Sequence, residues 1–152
     1  MDEKNNAWLA VLLIILLVLS GGTGGVTGTP APFVAPADKA GAVLLVEETD
    51  DRIKYLKTDI PNIMDAQNPG SVRDFVAKNN WDLQKLDVSN QTSVPLNKQW
   101  AQDAVAAYIK LGLKPPAILA SNSKGKGFSK QLDATSKEAD VITALTTLGG
   151  TK

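Results

Sequence analysis

The chain has 152 residues, 43% hydrophobic but only 5% aromatic, and its sixteen basic residues balance sixteen acidic ones. That balance, with an isoelectric point of about 6.2, leaves no cationic footprint for nucleic acid. Neither cysteine nor histidine is present, which excludes thiol nucleophiles, Ser-His-Asp triads, structural zinc sites and histidine-ligated haem. Any chemistry falls to carboxylates, Lys, Tyr and Ser/Thr, and neither a metal nor a cofactor is expected.

After a short polar stretch over residues 1–6 comes an unbroken apolar run of 13 residues, Ala7 to Leu19. As a helix it rises about 20 Å, short of a hydrocarbon core of about 30 Å. The uncharged residues through Val26 extend it to spanning length, and membrane helices tolerate glycine better than helices in water do. Residues 7–27 are therefore read as a single-pass membrane anchor. A cleaved export signal is the alternative, since a small-residue site, Ser20-Gly21-Gly22, follows the apolar run. Against cleavage stand Asp2 and Glu3, where a signal peptide wants positive charge. Lys4 and the α-amino group place the rest of the chain on the non-cytoplasmic side. Gly21, Gly25 and Gly28 fit a small-residue packing pattern but read more simply as flexible chain. Residues 28–40 read as a Gly/Pro-rich linker, with the folded domain over residues 41–150.

Gly41 to Val46 is a continuous apolar run that ends in charge, the mark of a strand buried on both faces. A helix is expected from about Asp50 with Ile53 and Leu56 inward, stopping or restarting at Pro61. Asn68-Pro69-Gly70 breaks the chain again. Ser71 and Asp74 then resemble a capping box that opens a helix over Val72 to Asn79. Asp82 to Val88 reads as a second strand with one wetter face. Asn97 to Leu111 spaces Trp100, Ala104, Tyr108 and Leu111 as one helical face, and Gly112 stops it. A third strand follows Pro115-Pro116, and Asn122 to Gly127 turn into a fourth over Phe128 to Leu132. Thr135 and Glu138 suggest a capping box for a last helix that buries Val141, Ile142, Leu145 and Leu148 and ends at Gly149.

From Leu111 to Gly149 this order resembles the C-terminal half of the thioredoxin-like fold: helix, proline directly before a strand, Gly-containing hairpin, amphipathic helix. Pro116 matches the position of that family's cis-proline, although a Pro-Pro pair also makes an ordinary trans approach to a strand. The resemblance implies a three-layer α/β sandwich, a central mixed sheet of about four strands flanked by helices, here preceded by one apolar helix. It also implies that Pro116 faces the turn after the first strand. That turn reads Glu47-Glu48-Thr49-Asp50-Asp51-Arg52 and holds no cysteine, so the resemblance is to a non-redox member.

Glu47, Glu48, Asp50 and Asp51 crowd four carboxylates into five residues at the position where that fold does its work. Paired carboxylates serve as acid and base or hold a hard cation. Here an exposed helix start is the simpler reading, because the Gly and distal Glu of a calcium loop are missing and Arg52 and Lys54 stand close by. Trp100 belongs to a core-facing stripe. Trp81, flanked by Asn79, Asn80 and Asp82, reads as the surface tryptophan. Lys124, Lys126 and Lys130 make a small solvated basic patch. The expected binding surface is thus Glu47, Glu48, Asp50, Asp51, Arg52, Trp81 and Pro116. The expected role is a membrane-held, non-catalytic module that binds a protein or forms part of an envelope or particle. An enzyme using the acidic loop opposite Pro116, or a secreted domain, is the alternative.

Overall fold

The run Val43-Leu44-Leu45-Val46 is apolar on both sides of its pleat, so the strand it forms must be covered on two faces. In a computed structural model describing residues 30–90 and 97–149, β1 (Gly41–Glu47) is buried along its whole length. Residues 7–27, expected to form a membrane anchor, lie outside the described residues. Four strands form one mixed sheet in the order β2-β1-β3-β4, with β2 at Trp81–Asp87, β3 at Ala117–Asn122 and β4 at Gly127–Gln131. β1 runs parallel to β2 (Gly41↔Trp81 through Glu47↔Asp87) and antiparallel to β3, and β3 is antiparallel to β4.

A parallel pair needs a long crossover. Here it consists of a 3-10 helix (Thr49–Tyr55), α1 (Ile60–Asp65) and α2 (Val72–Lys78). These helices and α4 (Glu138–Thr147) cover the face presented by Val43, Leu45, Ile118 and Ala120, with Ile63, Met64, Val72, Phe75 and Leu145 in the shared core. α3 (Gln99–Lys110) covers the other face, where Trp100, Ala104 and Tyr108 pack on Leu44, Val46 and Leu119. The result is an α/β sandwich, compatible with a thioredoxin-like arrangement. Ser71 Oγ accepts the Asp74 amide, as the capping box requires, while the Asp74 carboxylate accepts the Gly70 amide at 2.8 Å. Gly112 takes the positive φ of +64° expected just past the end of α3.

Three expectations are corrected. Ile53 and Leu56 do not point inward but are 76% and 67% exposed. A 3-10 turn has three residues, so Arg52 and Tyr55 form one row and Ile53 and Leu56 the next. Arg52 stays exposed but is held toward the sheet by the buried Glu47, Tyr55 is half-buried on the same row, and Ile60, Ile63 and Met64 of α1 take over the packing. Pro61 sits in the first turn of α1, where its missing amide hydrogen is no loss.

The second correction concerns the presumed linker, which is structured from Pro30 onward: Phe33 and Ala35 are buried, and the Phe33 ring stacks on Trp100 at 5.6 Å. Gly127 permits this close approach, because a Cβ there would meet Pro32 Cδ at 2.6 Å. Third, α4 starts without the Thr135–Glu138 box. Its N-cap, Lys137, makes no side-chain cap, and the Glu138 amide donates instead to Asp59 Oδ2 at 3.2 Å from the far side of the crossover.

Candidate functional site

At the C-terminal end of β1 the chain passes from a buried apolar strand straight into charge, and Glu47 remains 4% exposed. A buried carboxylate requires partners. Arg52, one turn on, holds it in a fork: Nε to Oε2 at 3.0 Å and Nη2 to Oε1 at 2.6 Å. Lys85 of β2 reaches the same Oε1 at 2.6 Å. Asp65, the last residue of α1, closes the ring, accepting Arg52 at 2.8 Å and Lys85 at 2.7 Å. Two carboxylates and two cations thus alternate. The hydrogen bond to Glu47, outweighing burial and supported by the charges of Glu47 and Asp65, holds the Arg52 guanidinium above its usual pKa.

Just below this ring, Asp87 ends β2 and pins the start of the 3-10 helix. Its carboxylate accepts the Thr49 amide at 3.2 Å, the Thr49 hydroxyl, and the Ser89 hydroxyl at 2.6 Å. Burial pushes this carboxyl up, but the Ser89 and Thr49 hydrogen bonds outweigh it and hold the pKa at about 2. Lys54 pairs with Asp51 at 2.6 Å on the outer side of the same turn.

Between the 3-10 helix, α1 and the residues leading into β3 lies a cavity of about 110 Å³. Its walls are mainly apolar, formed by Tyr55, Leu56, Ile60, Pro61, Met64, Pro115 and Pro116, with Glu47, Glu48, Asp51, Arg52 and Asp65 along one side. The Pro115–Pro116 bond is cis, and the Pro116 carbonyl accepts the Leu132 amide at 2.8 Å.

Of the residues expected at a binding surface, Glu47, Glu48, Asp51, Arg52 and Pro116 therefore meet at one cavity. Asp50 is exposed on the same turn but does not line it. Trp81 is a correction: it is 5% exposed, at the opposite end of the sheet, and packs edge-on to Phe75 at 5.6 Å. Its ring lies over Gly41, where a Cβ would sit 2.7 Å from it, so polar neighbours in sequence gave a false sign of exposure. Trp100 is packed as expected and donates its indole N–H to Asp82 Oδ2 at 3.1 Å.

Sequence reasoning missed Asp65 and Lys85, which reach Glu47 only through the fold. It also missed Asp87, for which the Asp-x-Ser spacing of Asp87 and Ser89 was an available sign of a side-chain turn. Among the described residues no group of acidic side chains is placed to hold a metal ion, and no helix is long and apolar enough to cross a membrane.

Chemically, the cavity is small beside the roughly 300–1,000 Å³ of small-molecule sites. Its buried carboxylate is committed to a ring of opposite charges, whereas Leu56, which lines it, and Ile53 on the same 3-10 helix stand exposed. Comparison of the chain with models of known families, with curated proteins and with solved structures found no match.

Proposed function

We propose that the chain is a membrane-anchored, non-redox module of thioredoxin-like fold whose work is to bind another protein at the cleft between the 3-10 helix and Pro116. The strand order and the antiparallel hairpin after β3 support the thioredoxin-like assignment. The apolar sequence of residues 7–27 supports the anchor.

One observation carries the binding role: the buried Glu47 is neutralised within its ring of ion pairs, while two large apolar side chains on the same turn are left in water. An active site needs a group poised to give or take a proton or to attack. A docking surface needs apolar anchors beside a polar rim. Ile53, Leu56 and the apolar walls of the cavity supply the anchors, and Glu48, Asp50 and Asp51 the rim.

A photo-crosslinking residue at position 53 in the full-length chain, expressed in its own host, tests this reading. A discrete adduct is expected from position 53 and none from Ile109, which is also exposed but lies on α3. Replacing Ile53 and Leu56 together by Ser should abolish the adduct formed through a crosslinker at the neighbouring Lys57. No adduct, or an adduct indifferent to that double substitution, would sink the proposal.

A further inference from the structure

We infer that the hairpin between β3 and β4 is the face of this domain that lies against the lipid headgroups, with the cleft at the opposite end of the sheet directed away from the bilayer. The inference rests on the reading of residues 7–27 as a membrane anchor. It starts from where the chain becomes fixed. Pro30 forms a β-bridge with Lys126, the Ala31 amide donates to the Gly125 carbonyl at 3.3 Å, and the Phe33 amide lies 3.4 Å from Ser121 Oγ. The chain is therefore bound at the hairpin tip before it turns into β1.

Only Gly28 and Thr29 separate residue 27 from Pro30. Three Cα steps span at most about 11 Å. That is a little over the Debye length of about 8 Å at physiological salt, so an anchor running to residue 27 keeps the hairpin end close to the headgroups.

The sheet supplies the polarity. β1 and β3 pair Gly41 with Asn122 at the hairpin end and Val46 with Ala117 at the other, beside Pro116 and Glu47. A strand of this length separates the two ends by about 20 Å. The charge at the hairpin end suits a layer of phosphates. Lys124 and Lys126 are exposed, and among the described residues neither is in an ion pair. Lys39 adds a third cation, hydrogen-bonded to Asn80 at 3.3 Å, against the exposed acid Asp38. Each lysine close to an anionic surface strengthens attraction roughly fivefold.

The absence of cysteine makes the test direct, because single probes can be attached at Ser123→Cys in the hairpin and Ile53→Cys at the cleft, both exposed positions. The full-length chain is reconstituted into vesicles of phosphatidylcholine and phosphatidylglycerol that carry a headgroup-attached quencher, and flotation first establishes that it is anchored. Several-fold stronger quenching is expected at position 123 than at position 53. A flexible Gly-Ser insertion between Thr29 and Pro30 should remove the difference. Reversing Lys124 and Lys126 to Glu should weaken quenching at position 123 in the anionic vesicles but not in pure phosphatidylcholine. Equal quenching at both positions in floated protein overturns the orientation while leaving the anchor standing. An unchanged signal after charge reversal overturns the role of the lysines. Failure to float removes the anchor and the orientation with it.

Discussion

Glu47 and Asp87 sit at the ends of neighbouring strands, yet their surroundings ask different things of them. Glu47 is buried and held by Arg52 and Lys85, so Glu47→Ala strands cations against a desolvated face. Breaking a buried pair in this way costs about 3 kcal/mol, the low end of the usual range, since Arg52 keeps contact with water. Glu48 and Asp51 belong to the rim, and replacing both by Ala should shift stability by no more than about 1 kcal/mol. Urea denaturation of the two variants side by side checks the contrast. A catalytic turnover lost in the Glu48/Asp51 double variant, with its fold intact, would reverse the non-enzymatic reading. Asp87 acts through ionisation. Its carboxyl is depressed from 3.8 in the unfolded chain to about 2 in the fold, so its contribution is complete above about pH 4 and is lost as pH falls through about 2. Discounted for solvent exposure, that contribution is about 1 kcal/mol. Asp87→Asn should be less stable than the parent by about this amount at pH 7, and the gap should close between pH 4 and pH 2 in acid titrations followed by circular dichroism.

At the level of elements, the helix ends show how the two layers on one face of the sheet are tied together. α4 begins without a cap of its own, and the amide of Glu138 is satisfied by Asp59, which also precedes α1 and accepts the Ile63 amide through its backbone. Burial, with the Asp59 charge adding to it, pushes the Glu138 carboxyl up, and a hydrogen bond from the Val72 amide draws it partly back. The starts of α1, α2 and α4 are thus joined through two carboxylates. Asp59→Ala should fray the first turn of α4 and destabilise the domain by about 1 kcal/mol, the worth of an N-cap. Hydrogen exchange should speed up at Glu138 to Val141 more than at the end of α4. Uniform protection along the helix would show that Asp59 is not the cap.

On the scale of the whole molecule, the segment from Pro30 to Pro36 belongs to the domain although it precedes the first strand. Phe33 fills the core between α3 and the sheet, at 5% exposure, and truncating a buried Phe costs about 3 kcal/mol or more. A domain beginning at Pro30 should therefore be more stable than one beginning at Gly41 by about that amount. Equal urea midpoints for the two would mean that the strap rests on a core complete without it. The same strap is held at the hairpin end of the sheet, where Pro30 bridges Lys126, while the cleft lies at the other end.

The order of elements was legible along the chain because it rests on local signals. An apolar run marked β1, glycines and prolines punctuated the hairpin and helix ends, and helical spacing marked α3 and α4. The nearness of the acidic turn after β1 to Pro116 was legible too, since the two could be placed opposite each other once the order was known, and five of the seven residues named from the sequence line one cavity. Which side of an element faces in was decided only by tertiary contacts. Ile53 and Leu56 face out because Arg52 is claimed by Glu47. Trp81 is buried because Gly41 leaves room for its ring. The partners that settle the remaining choices lie far apart in sequence: Asp59 meets Glu138 across 79 positions, and Phe33 meets Ser121 across 88. Periodicity reports which residues share a face of one helix or strand. Only the packing of distant segments, through the burial and hydrogen bonds it offers, chooses which face becomes the core and which is left in water.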